Sequence, residues 1–107
     1  MRWYDVIPNA ILPVIPNLSR YEAVKKKPPY AVWAEDDASG LKANNRTVER
    51  AFSGTLDFFT MKENDPLVAC IETALNGADC TWYLNSVQHE EETKYIHYEW
   101  VWSVIDS

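Results

Sequence analysis

Glycine is scarce in this 107-residue chain: only Gly40, Gly54 and Gly77 occur. A glycine-rich phosphate loop or a dinucleotide-binding fingerprint needs several glycines at fixed offsets, so both are excluded. No G-x-S-x-G nucleophile motif occurs either. Cys70 and Cys80 are the only cysteines. Two thiols make no disulfide framework, their spacing is not that of a zinc site, and they are expected to be reduced. No apolar run approaches a membrane span. The apolar start is interrupted by Asp5, Pro8 and Pro13, which is not a signal-peptide pattern. Repeats and low-complexity segments are absent. The expectation is one soluble domain, residues 1–107, made in the cytoplasm.

Basic residues are scarce in one half. Residues 51–107 hold two Lys/Arg against ten Asp/Glu, whereas residues 1–50 hold eight against six. The net charge of −6 makes tight nucleic-acid binding a poor fit, because that binding needs clustered cations to displace counterions. The asymmetry is either ordinary solvated charge or a pair of complementary faces for head-to-tail assembly. Aromatic residues, by contrast, are plentiful. Five Trp and six Tyr favour strands and broad contact surfaces over a lean helical bundle.

The clearest pattern is the stretch Arg46–Met61. From Phe52 onward, Phe52, Leu56 and Phe58 alternate with Ser53, Thr55 and Asp57, as in a strand with one buried face. Its length calls for a bulge near Ser53-Gly54 or a projecting hairpin tip. A helix follows. Asp65 can cap it, Pro66 suits its first position, and Leu67, Val68, Ile71, Ala74, Leu75 and Ala78 share a face. Asn76-Gly77 reads as a left-handed stop, and Cys70 as a small hydrophobe at the border of the apolar face.

Upstream, residues 1–17 carry three prolines and read as an irregular arm. It forms a short helix or turn broken near Pro8, or lies extended, and it packs on its own domain or on a neighbour. Asn17–Tyr21 reads as a short edge strand. Lys25-Lys26-Lys27 lies in a loop, either solvated or touching phosphate. Tyr30–Glu35 is an interior strand, and residues 36–48 form an exposed, mobile hairpin loop. Downstream, Thr81–His89 and Tyr95–Ile105 are strands joined by an acidic turn. In the second, Ile96, Tyr98, Trp100, Trp102 and Val104 share one face, with His97, Glu99, Val101 and Ser103 on the other. The order is β-β-β-α-β-β. It implies an α+β domain with a mixed or antiparallel sheet of about five strands and one main helix on one face.

Candidate chemistry is thin. His89, His97 and Glu99 could hold a metal if the last two strands pair, which would suit a small metal-dependent hydrolase or ligand-binding domain. The alternative is solvent-facing strand residues beside a solvated turn. A Cys–His nucleophile pair is disfavoured by the helical position of Cys70. Glu35-Asp36-Asp37 and Glu90-Glu91-Glu92 lack the spacing of a calcium loop. Neither an enzyme nor a cofactor is expected.

Taken in order, several stretches resemble the tail-terminator, or tail-completion, proteins of long-tailed bacteriophages. They are the strand at 17–21, Pro-Pro-Tyr-Ala-Val-Trp at 28–33, a polar hairpin, and Arg50-Ala51-Phe52-Ser53-Gly54-Thr55-Leu56-Asp57-Phe58-Phe59. The helix from Asn64 to Gly77 and the closing Tyr98-Glu99-Trp100-Val101-Trp102-Ser103-Val104 complete the likeness. It covers residues 18–106 and is a pattern of element order and composition. The amino-terminus departs, since such proteins often begin with a longer helix. The resemblance implies a non-enzymatic ring, commonly a hexamer. The ring caps the tail tube, ends its polymerisation and meets the head connector, with DNA only passing through its lumen. A different neck or head–tail connector component is the neighbouring alternative. Either would reside in the virion, after assembly in the host cytoplasm. The subunit-contact or lumen residues expected on this basis are Glu35, Asp36, Asp37, Lys42, Arg46 and Arg50.

Overall fold

A computed structural model describes residues 1–43 and 46–106, with side chains described outside 39–49. The order is α1 (Trp3–Ile11), β1 (Leu18–Arg20), β2 (Tyr30–Ala43), β3 (Arg46–Thr60), α2 (Leu67–Asn76), β4 (Thr81–His89) and β5 (Ile96–Asp106). The strands form one mixed sheet in the order β1-β2-β3-β5-β4. Only β1 pairs in parallel, with β2; the other pairings are antiparallel. This is the α+β domain expected, with a second helix added.

Both helices cover one face of the sheet. Leu56 and Phe58 of β3, Trp100, Trp102 and Val104 of β5, and Ala31 and Trp33 of β2 meet Ile71 and Leu75 of α2 there. The tryptophan N–H groups are satisfied, as buried indoles require. Trp100 Nε1 donates to Glu72 Oε2 on α2 at 2.9 Å, and Trp102 Nε1 donates to the Thr55 carbonyl at 3.0 Å.

Of the amino-terminal alternatives, a short helix packed on its own domain is the one formed, but it is not broken at Pro8. Residues 3–11 are helical with Pro8 inside the helix. An interior proline costs roughly 3 kcal/mol. Val6, Ile7, Ile11 and the following Ile15 are all buried in the shared core. At about 1.5–3 kcal/mol per buried aliphatic side chain, that packing outweighs the proline. Trp3 also stacks flat on Phe52 of β3, with ring centroids 3.9 Å apart.

The hairpin loop expected over 36–48 is corrected too. β2 runs to Ala43 and β3 starts at Arg46, with Ala43 opposite Arg46. The small and polar residues here carry no alternating pattern, and backbone pairing with β3 extends β2 through them. The expected bulge lies opposite Gly54 but on the partner strand: Glu35 faces Gly54 and Asp37 faces Ser53, leaving Asp36 extra. A Cβ at position 54 would sit 1.9 Å from the Ala34 carbonyl oxygen, so only glycine admits this close approach.

The two ends of α2 differ. Asp65 does act at the start: its carboxylate accepts the Leu67 N–H at 2.9 Å and the Thr60 hydroxyl at 2.6 Å. Gly77, however, is not left-handed; its φ is −83°. The helix ends on right-handed backbone, with the Gly77 N–H bonded to the Thr73 carbonyl. Cys70 is exposed, not at the apolar border. No helix among the described residues is long and apolar enough to cross a membrane.

Candidate functional site

Strand alternation leaves the second face of the sheet without a helix. Register places Tyr30, Phe59, His97 and Gln88 side by side across it, with Val32, Asp57, Glu99 and Ser86 in the next row. At this end of the face the residues before β2 and the turn before β5 rise as a rim. Together they enclose an open cavity of about 510 Å³.

The floor is aromatic. Tyr30 stacks on Phe59 with centroids 4.6 Å apart, and Phe59 stacks on His97 at 4.3 Å. Tyr95 meets Tyr30 edge-on at 6.4 Å. His97 Nε2 lies 2.7 Å from Asp57 Oδ1, and Thr55 Oγ1 donates to Asp57 Oδ2. Both members of the His97–Asp57 pair keep about a fifth of their side-chain surface exposed. The hydrogen bond to Asp57 raises the His97 pKa above its ordinary value. Partial burial opposes this, and the charges of Asp57, Glu90 and Glu99 reinforce it. Tyr30 is likewise pushed up, by burial first and then by Tyr95 and Glu90. The cavity thus has an aromatic floor ringed by the carboxylates Glu22, Asp57 and Glu90 and by Lys26 and His97.

A second cluster lies at the β1 edge on the helix-covered side of the sheet, and of its members only Tyr21 also lines the cavity. The Arg20 guanidinium lies 4.7 Å from the Trp33 ring, 5.0 Å from Tyr21 and 5.7 Å from Trp3. Arg20 also forks onto both Glu35 oxygens at 2.9 Å, and the Tyr21 hydroxyl donates to Glu35 Oε2. Burial pushes the Glu35 carboxyl up, but the bonds from Tyr21 and Arg20 overcome that and hold it below the usual range. The same bond raises the Tyr21 hydroxyl. Tyr21 keeps a left-handed φ of 71°. That conformation costs a bulky residue on the order of 1 kcal/mol or more, which the surrounding network offsets.

The residues singled out from sequence lie mostly elsewhere. Glu35 is engaged within its own domain. Asp36 and Asp37 are exposed at the base of the β2–β3 arm, and Arg50 is exposed farther along it. The side chains of Lys42 and Arg46 lie outside those described. The backbone strings the six positions along one arm. His89 and His97 are not brought together: His89 pairs with Ile96, one step away from the Gln88–His97 pair, and so lies on the opposite face. Glu99 instead accepts a bond from Asn85 at 2.7 Å. No group of three metal-ligating side chains forms among the described residues.

The His97–Asp57 pair was missed because its members are forty positions apart. One signal was present: an Asp within one strand and a His at the start of another, both on the less apolar faces of those strands. Only the β3–β5 register makes them neighbours. A scan of the sequence against protein-family models finds no match, and a search of curated proteins finds no significant one.

Proposed function

We propose that this chain is a structural assembly protein of the phage or prophage tail-terminator type. It closes into a ring, commonly a hexamer, on the head-proximal end of a tail tube. There it ends tube polymerisation and offers a surface to the head connector. On this reading it works without catalysis or cofactor, meets DNA only in passing, and resides in the virion after assembly in the host cytoplasm.

The observation that carries the reading is the β2–β3 arm. β5 pairs with β3 only from Arg50 onward, so the strand ends nearer the turn pair with β2 alone. The molecule is correspondingly long, 52 Å against 25 and 23 Å. An arm whose described strands pair only with each other suits contact with a neighbour. The amino-terminal helix adds support, because it reduces the departure from the tail-terminator pattern that the prolines suggested. A head-to-tail ring needs two unlike faces, and the unequal charge of the two halves is compatible with that.

The test is to add purified protein to polymerising tail-tube protein from the same virus. Tubes should stop at one capped end. Undiminished growth at saturating protein, with no protein bound to tube ends, would sink the reading.

A further inference from the structure

We infer that the outer edge of β4 is a docking site for an extended segment of another protein, one with an uncharged, partly apolar centre and Lys or Arg at its ends. The segment adds to the sheet as a further strand. This edge is separate from the β2–β3 arm, so its test stands apart from that of ring assembly.

A sheet edge presents unpaired N–H and C=O groups, and proteins blunt such edges with short strands, charge, proline, bulges or a covering segment. The opposite edge of this sheet is blunted. β1 is three residues long, and the chain after it is tied alongside: the Val24 N–H donates to Ser19 Oγ, and Asn17 Nδ2 donates to the Lys25 carbonyl. Where β2 runs on past β1 it carries Glu35, Asp36 and Asp37 and a bulge. β4 differs. Among the described residues it pairs with β5 alone. Its stretch Thr81–His89 contains no Asp, Glu, Lys, Arg, Pro or Gly. Its one protective device is a bulge at Asn85, whose side chain donates to Glu99 Oε2. Regular pairing continues on both sides of that bulge, over Thr81–Leu84 and Ser86–His89.

Both faces of this edge offer apolar contact. Leu84 and Val87 lie opposite Trp100 and Tyr98, on the helix-covered face, yet stay 42% and 52% exposed. The helices leave them uncovered. On the open face Tyr83 is exposed as well, beside a hollow of about 250 Å³ over Ser53, Thr81, Val101 and Ser103. Backbone hydrogen bonds along an added strand supply affinity, and its alternate side chains against these residues supply selectivity.

Charge selects the partner. Glu90, Glu91 and Glu92 follow β4 directly, and Asp79 stands two residues before it. Asp79, Glu91 and Glu92 are exposed, and Lys94 is the one cation of the turn that joins β4 to β5. A Lys or Arg at the end of an added strand meets these acids with attraction. A second copy does not fit as well. Antiparallel self-pairing of β4 would bring Asp79 of each copy toward Glu90, Glu91 and Glu92 of the other, acid against acid at both ends.

The test titrates the full chain into a labelled synthetic peptide of alternating Val and Thr with Lys at both ends, read by fluorescence anisotropy and by hydrogen exchange. Binding should saturate and slow the exchange of amides in residues 81–89. Replacing the peptide's Lys by Glu should weaken binding roughly tenfold. N-methylation of its alternate residues, which removes ladder donors, should weaken it at least as much. On the protein, Val87→Lys and the pair Glu91→Lys/Glu92→Lys should each cost about tenfold in affinity. Both glutamates are exposed in the turn, so that pair remains informative if Val87→Lys fails to fold. No binding at millimolar peptide, equal binding of the Glu or N-methylated peptide, or unchanged exchange over residues 81–89 would overturn the inference. So would self-association of wild type that Val87→Lys abolishes, since the occupant would then be a second copy. None of these outcomes decides whether the chain caps tail tubes.

Discussion

The two faces of the sheet are built from the same strands and do opposite work. On the helix-covered face, Leu56, Phe58, Trp100 and Trp102 are completely or almost completely buried. Their backbone neighbours on the open face are Thr55, Asp57, Val101 and Ser103, all only partly covered. One residue step thus separates a position that holds the fold from one free to carry charge. Burial is concentrated on the first face, while most side chains of the second stay partly exposed.

That contrast is sharpest where the largest loss is expected. Trp100→Ala should cost about 3–5 kcal/mol in urea unfolding, from its cavity and from the stranded Glu72 partner. Tyr83→Ala, at a 57% exposed position on the open face, should stay within about 0.5 kcal/mol. Similar losses for both would erase the distinction.

Gly54→Ala comes next, at about 1–3 kcal/mol, because the added Cβ meets Ala34 backbone that must move. Gly77→Ala is the control. Its Cβ would have 3.7 Å to the nearest atom, and its φ is ordinary, so stability should be unchanged or slightly improved. Asp65→Ala should lose about 1 kcal/mol by removing the α2 cap and the Thr60 partner.

The smallest effect belongs to the open face. His97 has a native pKa above its ordinary 6.5. The His97–Asp57 contribution is therefore complete below pH 6.5 and fades as pH rises through the native value. It should amount to about 1 kcal/mol for a largely buried, hydrogen-bonded charged pair. The facing groups Glu90 and Glu99 act in the same direction. His97→Gln should flatten that part of the stability–pH curve. A wild-type curve that instead rises through this window would reverse the assignment.

The covered face was legible in the sequence because burial leaves alternation behind. Phe52 to Phe58 and Ile96 to Val104 announced their strands and their inward sides. Ile71 and Leu75 announced the helix in the same way. Where backbone geometry decides without burying side chains, the sequence is quieter. β2 beyond Glu35 carries no apolar stripe, so it resembled a loop. Pro8 signalled a break in α1 that the packing of Ile7 and Ile11 overrides. Gly77 suggested a left-handed stop that the chain does not use. The open-face site was the least legible, since Asp57, Phe59, Tyr30 and His97 come from three strands and become a site only through register.

The central claim is that the arm joins copies of this chain. Sedimentation velocity of wild type beside Arg46→Glu/Arg50→Glu, over a wide range of concentration, tests it most directly. The account predicts wild-type mass that rises with concentration to a closed oligomer, and a double variant that stays smaller while unfolding within about 0.5 kcal/mol of wild type. Equal association of the two proteins, or a wild type that remains monomeric throughout and leaves tail tubes uncapped, would contradict it.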